Sequence, residues 1–345
     1  MSIKHCLPTK GQSRQRGLSI VEVMISLAIG AILVAGMTQV FVSVRTSYVL
    51  QDSLSRLQEN ARFAEHFLSR ELRQAGALGC LSAAADPVVH LDVEDDDLLF
   101  GQFGRAGVQG FASPGDVPGT ITLTGAGGSE ARDDSEVLVV RGVGMAPGVT
   151  TNDDDEKQSA DAAVNVFVDG GALERSRISA GDIIAITDCS RGVVVQVADT
   201  NTTAGTINFR SGGTMNHYPG STRPFPDGMR PNADVVAIST RIYYVAPNPE
   251  GEPALYRRVG NDPPQELVAG VERMAFEYLE NGEYIPAGEV DDWQAVEAVR
   301  AEMLLRDRRE NLREGNQDIV FMGQPETFED GRMRLLVHST VASRN

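Results

Sequence analysis

The chain has 345 residues, with 48 Asp and Glu against 31 Lys and Arg, a formal net charge of −17. Acidity on this scale argues against nucleic acid and anionic lipid surfaces as ligands and favours a soluble, exported body. Thirty-five Gly and 16 Pro with only 6% aromatics indicate a loop-rich β structure, in one or two domains with a real core.

At the N-terminus, Lys4, Lys10, Arg14 and Arg16 stand without any acidic residue in the first 17 positions. Glu22 comes next, and from Val23 to Val44 no residue is charged. At ~1.5 Å per helical residue that run spans roughly 33 Å, about the hydrocarbon thickness of a bilayer. The positive-inside rule keeps the first 17 residues cytoplasmic and exports the chain beyond Val44. A secretory signal peptide has a shorter apolar core and a small-x-small cleavage site. A twin-arginine signal needs adjacent arginines, whereas Gln15 separates Arg14 from Arg16. Neither accounts for Glu22, a carboxylate that is costly at the edge of a membrane helix unless it is paired or reaches the headgroup layer.

The stretch Arg16-Gly17-Leu18-Ser19-Ile20-Val21-Glu22 and its apolar continuation resemble the class III signal of type IV pilins and type II secretion pseudopilins. In that signal a short basic leader ends in glycine, a hydrophobic residue opens the mature chain, and a glutamate is its fifth residue. The resemblance implies cleavage after Gly17 by a membrane aspartyl prepilin peptidase and N-methylation of Leu18, which stands where phenylalanine is usual. It also implies an assembly charge pair between Glu22 and the freed α-amino group of Leu18. Cys6 leaves with the leader, the mature charge becomes −21, and Cys80 and Cys189 remain as an even pair in an oxidising compartment. A Cys80–Cys189 disulfide is expected, with two buried thiols as the alternative. No C-x-x-C occurs, so no redox or zinc role is expected for them.

Past the membrane run, Leu50, Leu54, Leu57, Ala61, Ala64, Leu68, Leu72 and Ala75 recur at three- and four-residue spacing. This predicts an amphipathic continuation of one helix from Leu18 to about Gln74, stopped by Gly76 and Gly79. The stripe is expected to pack on a sheet, with Phe63 and Phe67 widening it beyond a coiled-coil seam. His66 is expected at the surface. Gly30 and Gly36, with Ala28, Ala31 and Ala35, are either surfaces for close helix approach or ordinary membrane-helix composition.

From Leu81 to Asp161 the composition turns to Gly, Asp, Ala and Pro, with strand candidates at Gly119–Thr124 and Glu136–Arg141. The acidic runs Asp92–Asp97 and Asn152–Glu156 lack the Gly and distal Glu of an EF-hand loop, so solvated loops are expected rather than Ca²⁺ sites. Strands are predicted at Ala163–Val168, Asp182–Asp188, Gly192–Ala198 and Gly205–Phe209. Ser190-Arg191-Gly192 would make a hairpin of the middle two, with Cys189 at its shoulder, and Asp199–Thr203 reads as a turn. Asn208 to Pro231 reads as a loop, Asp234–Ala246 as a long strand and Leu255–Val259 as a short one. A strand is clear from Met274 to Leu279, Trp293–Leu305 is ambiguous by pattern, and Arg332–Val341 closes the chain.

Several of these pieces resemble the PilW-like minor pilins: Arg73-Gln74-Ala75-Gly76 with Gly79-Cys80, Asp188-Cys189, Tyr243-Tyr244-Val245-Ala246 and Leu255-Tyr256-Arg257-Arg258. Glu266–Glu272, Trp293…Val296…Ala298-Val299-Arg300 and the ending Ser339–Asn345 fit as well, and by this likeness Trp293–Leu305 should be mostly strand. The resemblance implies a pilin-like α+β fold, a long N-terminal helix packed on an antiparallel sheet with a loop-rich β region beyond it. The expected organisation is a leader at 1–17, a transmembrane half-helix at 18–44, a periplasmic half-helix at 45–76 and a β-rich head at 77–345. The implied partners are other minor and major pilins, the prepilin peptidase and the inner-membrane assembly platform. The implied location is the inner membrane and then the pilus. A minor pseudopilin of a type II secretion system shares the signal, and a membrane-anchored periplasmic binding protein is a third reading. No G-x-S-x-G, H-E-x-x-H or Walker A motif occurs and the five histidines are scattered, so no enzyme, cofactor or metal is expected.

Overall fold

The computed structural model describes residues 17, 19–81, 87–94, 97–104, 106–119, 121–144, 148–152, 165–210, 213–218, 232–312 and 315–343. Outside them lie residues 1–16 with Cys6, Leu18, residues 95–96 and 153–156 of the acidic runs, and 163–164 of the Ala163–Val168 strand candidate. Most of the loop after Phe209 and the terminal Arg344 and Asn345 lie outside as well. The architecture is α+β, with a long and a short helix and mostly antiparallel sheets among the described residues. The chain divides into two compact units, residues 1–53 and 54–345.

Helix α1 (Ile20–Arg73, 54 residues) supplies nearly all described residues of the first unit and opens the second. Up to Val44 bulky apolar side chains lie on every side of it, and Ile25, Leu27, Ile32, Val34, Met37 and Phe41 are all exposed. Three hydroxyls return to the carbonyl four residues back, Ser26 to Glu22 at 2.7 Å, Thr38 to Val34 at 2.8 Å and Thr46 to Val42 at 3.0 Å. Their polarity is thereby satisfied inside the helix, as a lipid surrounding requires.

The helix buries the predicted stripe from Leu57 onward, whereas its first two members do not join the core: Leu50 is half-buried and Leu54 is exposed. Leu57, Ala61, Ala64, Leu68, Leu72 and Ala75 are each at most 3% exposed, and each leucine contributes roughly 1.5–3 kcal/mol by leaving water. Phe63 departs from expectation and is exposed. Two residues past Ala61 is about 200° around the helix, on the far side from the stripe. Phe67 is half-buried and meets Tyr243 edge-on at 6.1 Å.

The stripe shares one core with two sheets. The larger, of nine strands, is built on β10 (Asp234–Pro247). In chain order the strands before it are β1 (Val88–Val89), β2 (Val108–Phe111), β3 (Val137–Val143), β4 (Val149–Thr150), β5 (Asn165–Phe167), β6 (Ile183–Thr187), β7 (Gly192–Gln196), β8 (Asp199–Asn201) and β9 (Thr206–Asn208), and after it come β11 (Pro253–Val259) and β12 (Gln265–Ala269). Along one edge β10 pairs β6 from Asp234 to Ile238 and then β11 from Arg241 to Pro247. Along the other it pairs β4 and then β3. One 14-residue strand thus joins two half-sheets. In β3, Leu138 and Val140 enter the core under the helix, while Val137 and Val139 join a second core with Leu98, Leu99, Val117 and Leu123. That double burial explains the unbroken apolar run of β3.

The smaller sheet runs β14 (Glu283–Pro286), β13 (Val271–Glu280), β15 (Ala298–Arg306) and β18 (Arg334–Ala342), all antiparallel. The ambiguous Trp293–Leu305 segment is strand from Ala298 on, since Val299, Ala301, Met303 and Leu305 alternate into the helix-bearing core, while Trp293 to Glu297 is turn and coil. The run from Glu266 to Leu279 is two strands, because Gly270 at φ 85° breaks β12 from β13.

Other departures are local. The described residues of the Gly119–Thr124 candidate form no strand and keep only a bridge between Thr124 and Glu130. Asp199–Thr203 begins as strand β8, which pairs β9 and, through it, β5. Short helix α2 (Gly170–Ser176), capped by the Asp169 side chain on the Ala172 N–H, was not evident in the sequence. Nor was the hairpin of β16 (Gln317–Phe321) and β17 (Gln324–Phe328). It turns at Met322 and Gly323, both at positive φ, and lays Phe321 on Ala275 and Leu304, the outer face of the smaller sheet.

Candidate functional site: an apolar helix carrying one carboxylate

Among the residues from Ile20 to Val44, Glu22 is the single charge, and it lies in the first turn of α1, exposed. A carboxylate there complements the unpaired N–H groups and the positive end of the helix dipole. Gly17 is exposed, and Leu18, the expected site of methylation and of the cation opposite Glu22, lies outside the described residues. Further along, Gly36 leaves an open apolar groove flanked by Ile32, Leu33, Met37, Val40, Phe41 and Val44. An added Cβ at Gly30 or Gly36 would meet nothing within 4 Å.

The head holds the end of this helix by three devices. The first is an ion pair. Arg241 Nε on β10 lies 2.8 Å from the Glu71 carboxylate, with 3% and 1% of the two side chains exposed. Arg241 also donates to the Val143 carbonyl at 3.0 Å. The second is backbone docking. Gly76, at φ 72°, donates to the Arg141 carbonyl at 2.9 Å, and Val143 donates to the Ala77 carbonyl at 3.0 Å. A Cβ at Gly142 would sit 2.6 Å from the Gln74 carbonyl oxygen, and one at Gly107 would sit 2.4 Å from the Gly76 nitrogen. These glycines permit an approach that a side chain would block.

The third device is covalent. Cys80 and Cys189 are bonded, with Cα atoms 4.7 Å apart across 109 residues of sequence. Cys189 takes a positive φ of 68° at the β6–β7 turn. Asp188 fixes that turn by accepting from Ser190 N, Ser190 Oγ and Arg191 N at 3.0, 2.8 and 2.8 Å. The expected hairpin with Cys189 at its shoulder is present, and the buried-thiol alternative is not.

Glu71 and Arg241 were missed by sequence reasoning, although Glu71 is a charge beside Leu72 on the apolar side of the helix and so carried a signal. Two further buried charges hold other elements. Arg141 is 2% exposed and donates to the Leu98 carbonyl and Gln109 at 2.9 and 2.8 Å, and burial lowers its pKa to about 10. Arg334 donates to Glu272 and to Asp330, both at 2.7 Å at closest, and the hydrogen bond to Asp330 holds that carboxyl at about 2. Among the described residues no group of three His, Cys, Asp or Glu is placed to hold a metal ion. His66 is exposed on the helix, as expected.

Comparison with known proteins gives two family matches. Residues 242–345 match the model of type IV pilus-assembly protein W, and residues 12–38 match the prokaryotic N-terminal methylation motif. The first covers the second half of β10, the strands of the smaller sheet and the β16–β17 hairpin; the second covers the expected cleavage region and the start of α1. No curated protein and no solved structure matches the chain.

Proposed function

We propose that this chain, a PilW-like type IV pilin processed by prepilin peptidase, is a minor subunit that helps prime pilus assembly in a tip complex and so supports motility or adhesion. It enters the inner membrane with its N-terminus cytoplasmic and its head periplasmic, and it leaves the bilayer for the filament through contacts of α1 with neighbouring pilins. It acts as a structural subunit and performs no chemistry of its own.

The observation that carries this reading is the first unit of the chain. A helix with bulky apolar side chains exposed on every side and one carboxylate in its first turn is unstable in water and incomplete in lipid. Both deficits are met when the helix enters a bundle of like helices. Cleavage after Gly17 makes the Leu18 amine, and that cation in a neighbouring subunit is the partner that Glu22 does not find among the described residues. A buried pair of this kind is retained for register more than for net stability.

The test is Glu22→Ala in the native cell. The variant is expected to insert and to be cleaved after Gly17, and to be depleted from sheared pili. Normal incorporation of the variant would overturn the charge-pair account. Mass spectrometry of the mature N-terminus reports processing separately, as a methylated peptide beginning at Leu18.

A further inference from the structure

The smaller sheet ends in β18, whose far edge has a definite direction. The Arg334 N–H donates to Gln317 Oε1 and its carbonyl accepts from Gln317 Nε2, both at 2.9 Å, so this residue's backbone faces away from β15. At either end the ladder residues face β15: Asp307 N donates to the Met333 carbonyl at 2.8 Å, and Ser343 N donates to the Glu297 carbonyl at 2.7 Å. With a strand period of two, Leu336, His338, Thr340 and Ala342 direct their N–H and C=O groups outward, as Arg334 does. Gln317 covers only the first of these positions. Among the described residues no strand pairs along the rest of the edge.

The other sheet edges of the head are blunted. The strands there, β1, β2, β4, β5, β8, β12, β14, β16 and β17, are two to five residues long. β14 carries Glu283 and Pro286, and β17 carries Pro325 and Glu326. β12 bears Glu266, has a bulge in its pairing with β11, and its Ala269 carbonyl is taken by the Asn60 amide at 3.0 Å. These are the devices by which proteins keep sheet edges from pairing with other chains. Beyond Arg334, the charged first residue whose backbone Gln317 caps, β18 has none of them. It is nine residues long, and from Leu335 to Ser343 there is no Asp, Glu, Lys, Arg, Pro or Gly. A long, uncharged, β-branched edge is a pairing hazard when left open, and this one lies in a chain with 48 acidic residues to spend elsewhere.

We propose that the β18 edge from Leu336 to Ala342 is a strand-addition site, filled in the assembled pilus by an extended, uncharged segment of a different protein. A row of donors and acceptors at every second residue matches an extended main chain and no other surface. The neutrality of the strand selects a partner segment without charge, since a buried unpaired carboxylate or ammonium would be costly there. The exposed His338 and Thr340 would meet the partner's side chains on the outer face. The proposal rests on the filament reading and names a partner contact within it.

The test compares amide hydrogen exchange of the full chain in detergent with that in sheared pili, and places a photo-crosslinking residue at Thr340. The amides of Leu336, His338, Thr340 and Ala342 are expected to exchange quickly in detergent and at least ~10-fold more slowly in pili. The crosslink is expected to join one extended segment of another protein. His338→Pro removes an outward N–H while leaving the β15 ladder intact. It is expected to keep the unfolding temperature and disulfide of the parent and to lose both protection and crosslink, with Ser339→Ala unaffected. An unprotected edge in pili that contain the chain overturns the proposal alone, as does a crosslink from β18 to β18 of a second copy. Absence of the wild-type chain from pili overturns the filament reading and takes this proposal with it.

Discussion

Glu71, in the last turn of the long helix, and Arg241, in the middle of β10, meet at 2.8 Å where almost no water reaches either. The pair joins the helix that is proposed to assemble to the strand on which the larger sheet is built. Arg241 stands where β10 faces both β3 and β11, so the helix is tied to the strand at the join between its two half-sheets. Removing one partner leaves a buried charge alone. Glu71→Ala is therefore expected to cost about 3–5 kcal/mol, and the double replacement Glu71→Met with Arg241→Met to recover most of it. Urea unfolding of the full chain in detergent, by a far-UV signal, measures both. Singles and double of equal stability would show that the pair contributes nothing.

Glu136 provides a pH signature. It leads into β3 and faces the smaller sheet, its carboxylate accepting from Phe276 N at 2.9 Å and its own N–H donating to the Met274 carbonyl at 3.0 Å. Burial pushes the carboxyl up to about 7, against the Phe276 hydrogen bond and with some help from the charge of Glu277. The folded pKa is raised, so between about 4.5 and about 7 the fold holds a proton that the unfolded chain has released. This group's contribution therefore declines as pH rises through that window, by roughly 1–3 kcal/mol in all. Glu136→Gln keeps an acceptor for Phe276 and cannot ionise. It is expected to exceed the parent in stability at pH 8, with the gap closing near pH 5. Parallel stability–pH curves for the two proteins would refute the assignment.

The disulfide fixes the segment after the helix to the β6–β7 hairpin. Closing a loop of about 100 residues constrains the unfolded chain strongly, and losing such a bridge typically costs 2–5 kcal/mol. Cys189→Ser is expected to fall in that range, and reduction of the parent should lower its unfolding midpoint similarly. A single midpoint shared by the reduced and oxidised parent would show that the bridge holds nothing the core does not.

Gly142 is a sharper probe of helix docking. Its φ of 150° and the 2.6 Å approach of a would-be Cβ to the Gln74 carbonyl leave alanine strained against backbone on both counts. Overpacking of this kind typically costs about 1–3 kcal/mol. Gly142→Ala should reach the upper end of that range, because backbone yields less than a side chain. Gly119→Ala, where a Cβ meets nothing within 4 Å, is the comparison. Its backbone φ of 89° limits it to a conformational penalty alone, and equal losses at both sites would remove packing from the explanation.

The sequence alone determined the parts that depend on local pattern. Charge asymmetry around one apolar run, Glu22 after Gly17, and the three- and four-residue stripe from Leu57 to Ala75 are one-dimensional signals, and they fixed the helix and its buried face. Short β-branched runs located most strands of the nine-stranded sheet to within a residue or two. What tertiary structure decided are features whose partners lie far apart in the chain. Leu68 and Leu72 could be read as core, but nothing near Glu71 announced Arg241, 170 positions further along. The hairpin of β16 and β17 escaped notice because its strands alternate weakly and only Phe321 finds the outer face of the smaller sheet. Phe63 shows the converse: its apolarity suggested core, and the helical angle put it outside. Whether β18 is a finished edge or an open one is likewise invisible in Leu335–Ser343, because edge status belongs to the neighbours a strand lacks. Periodicity records which way a side chain points, whereas the choice of partner is made by the fold that brings distant residues together.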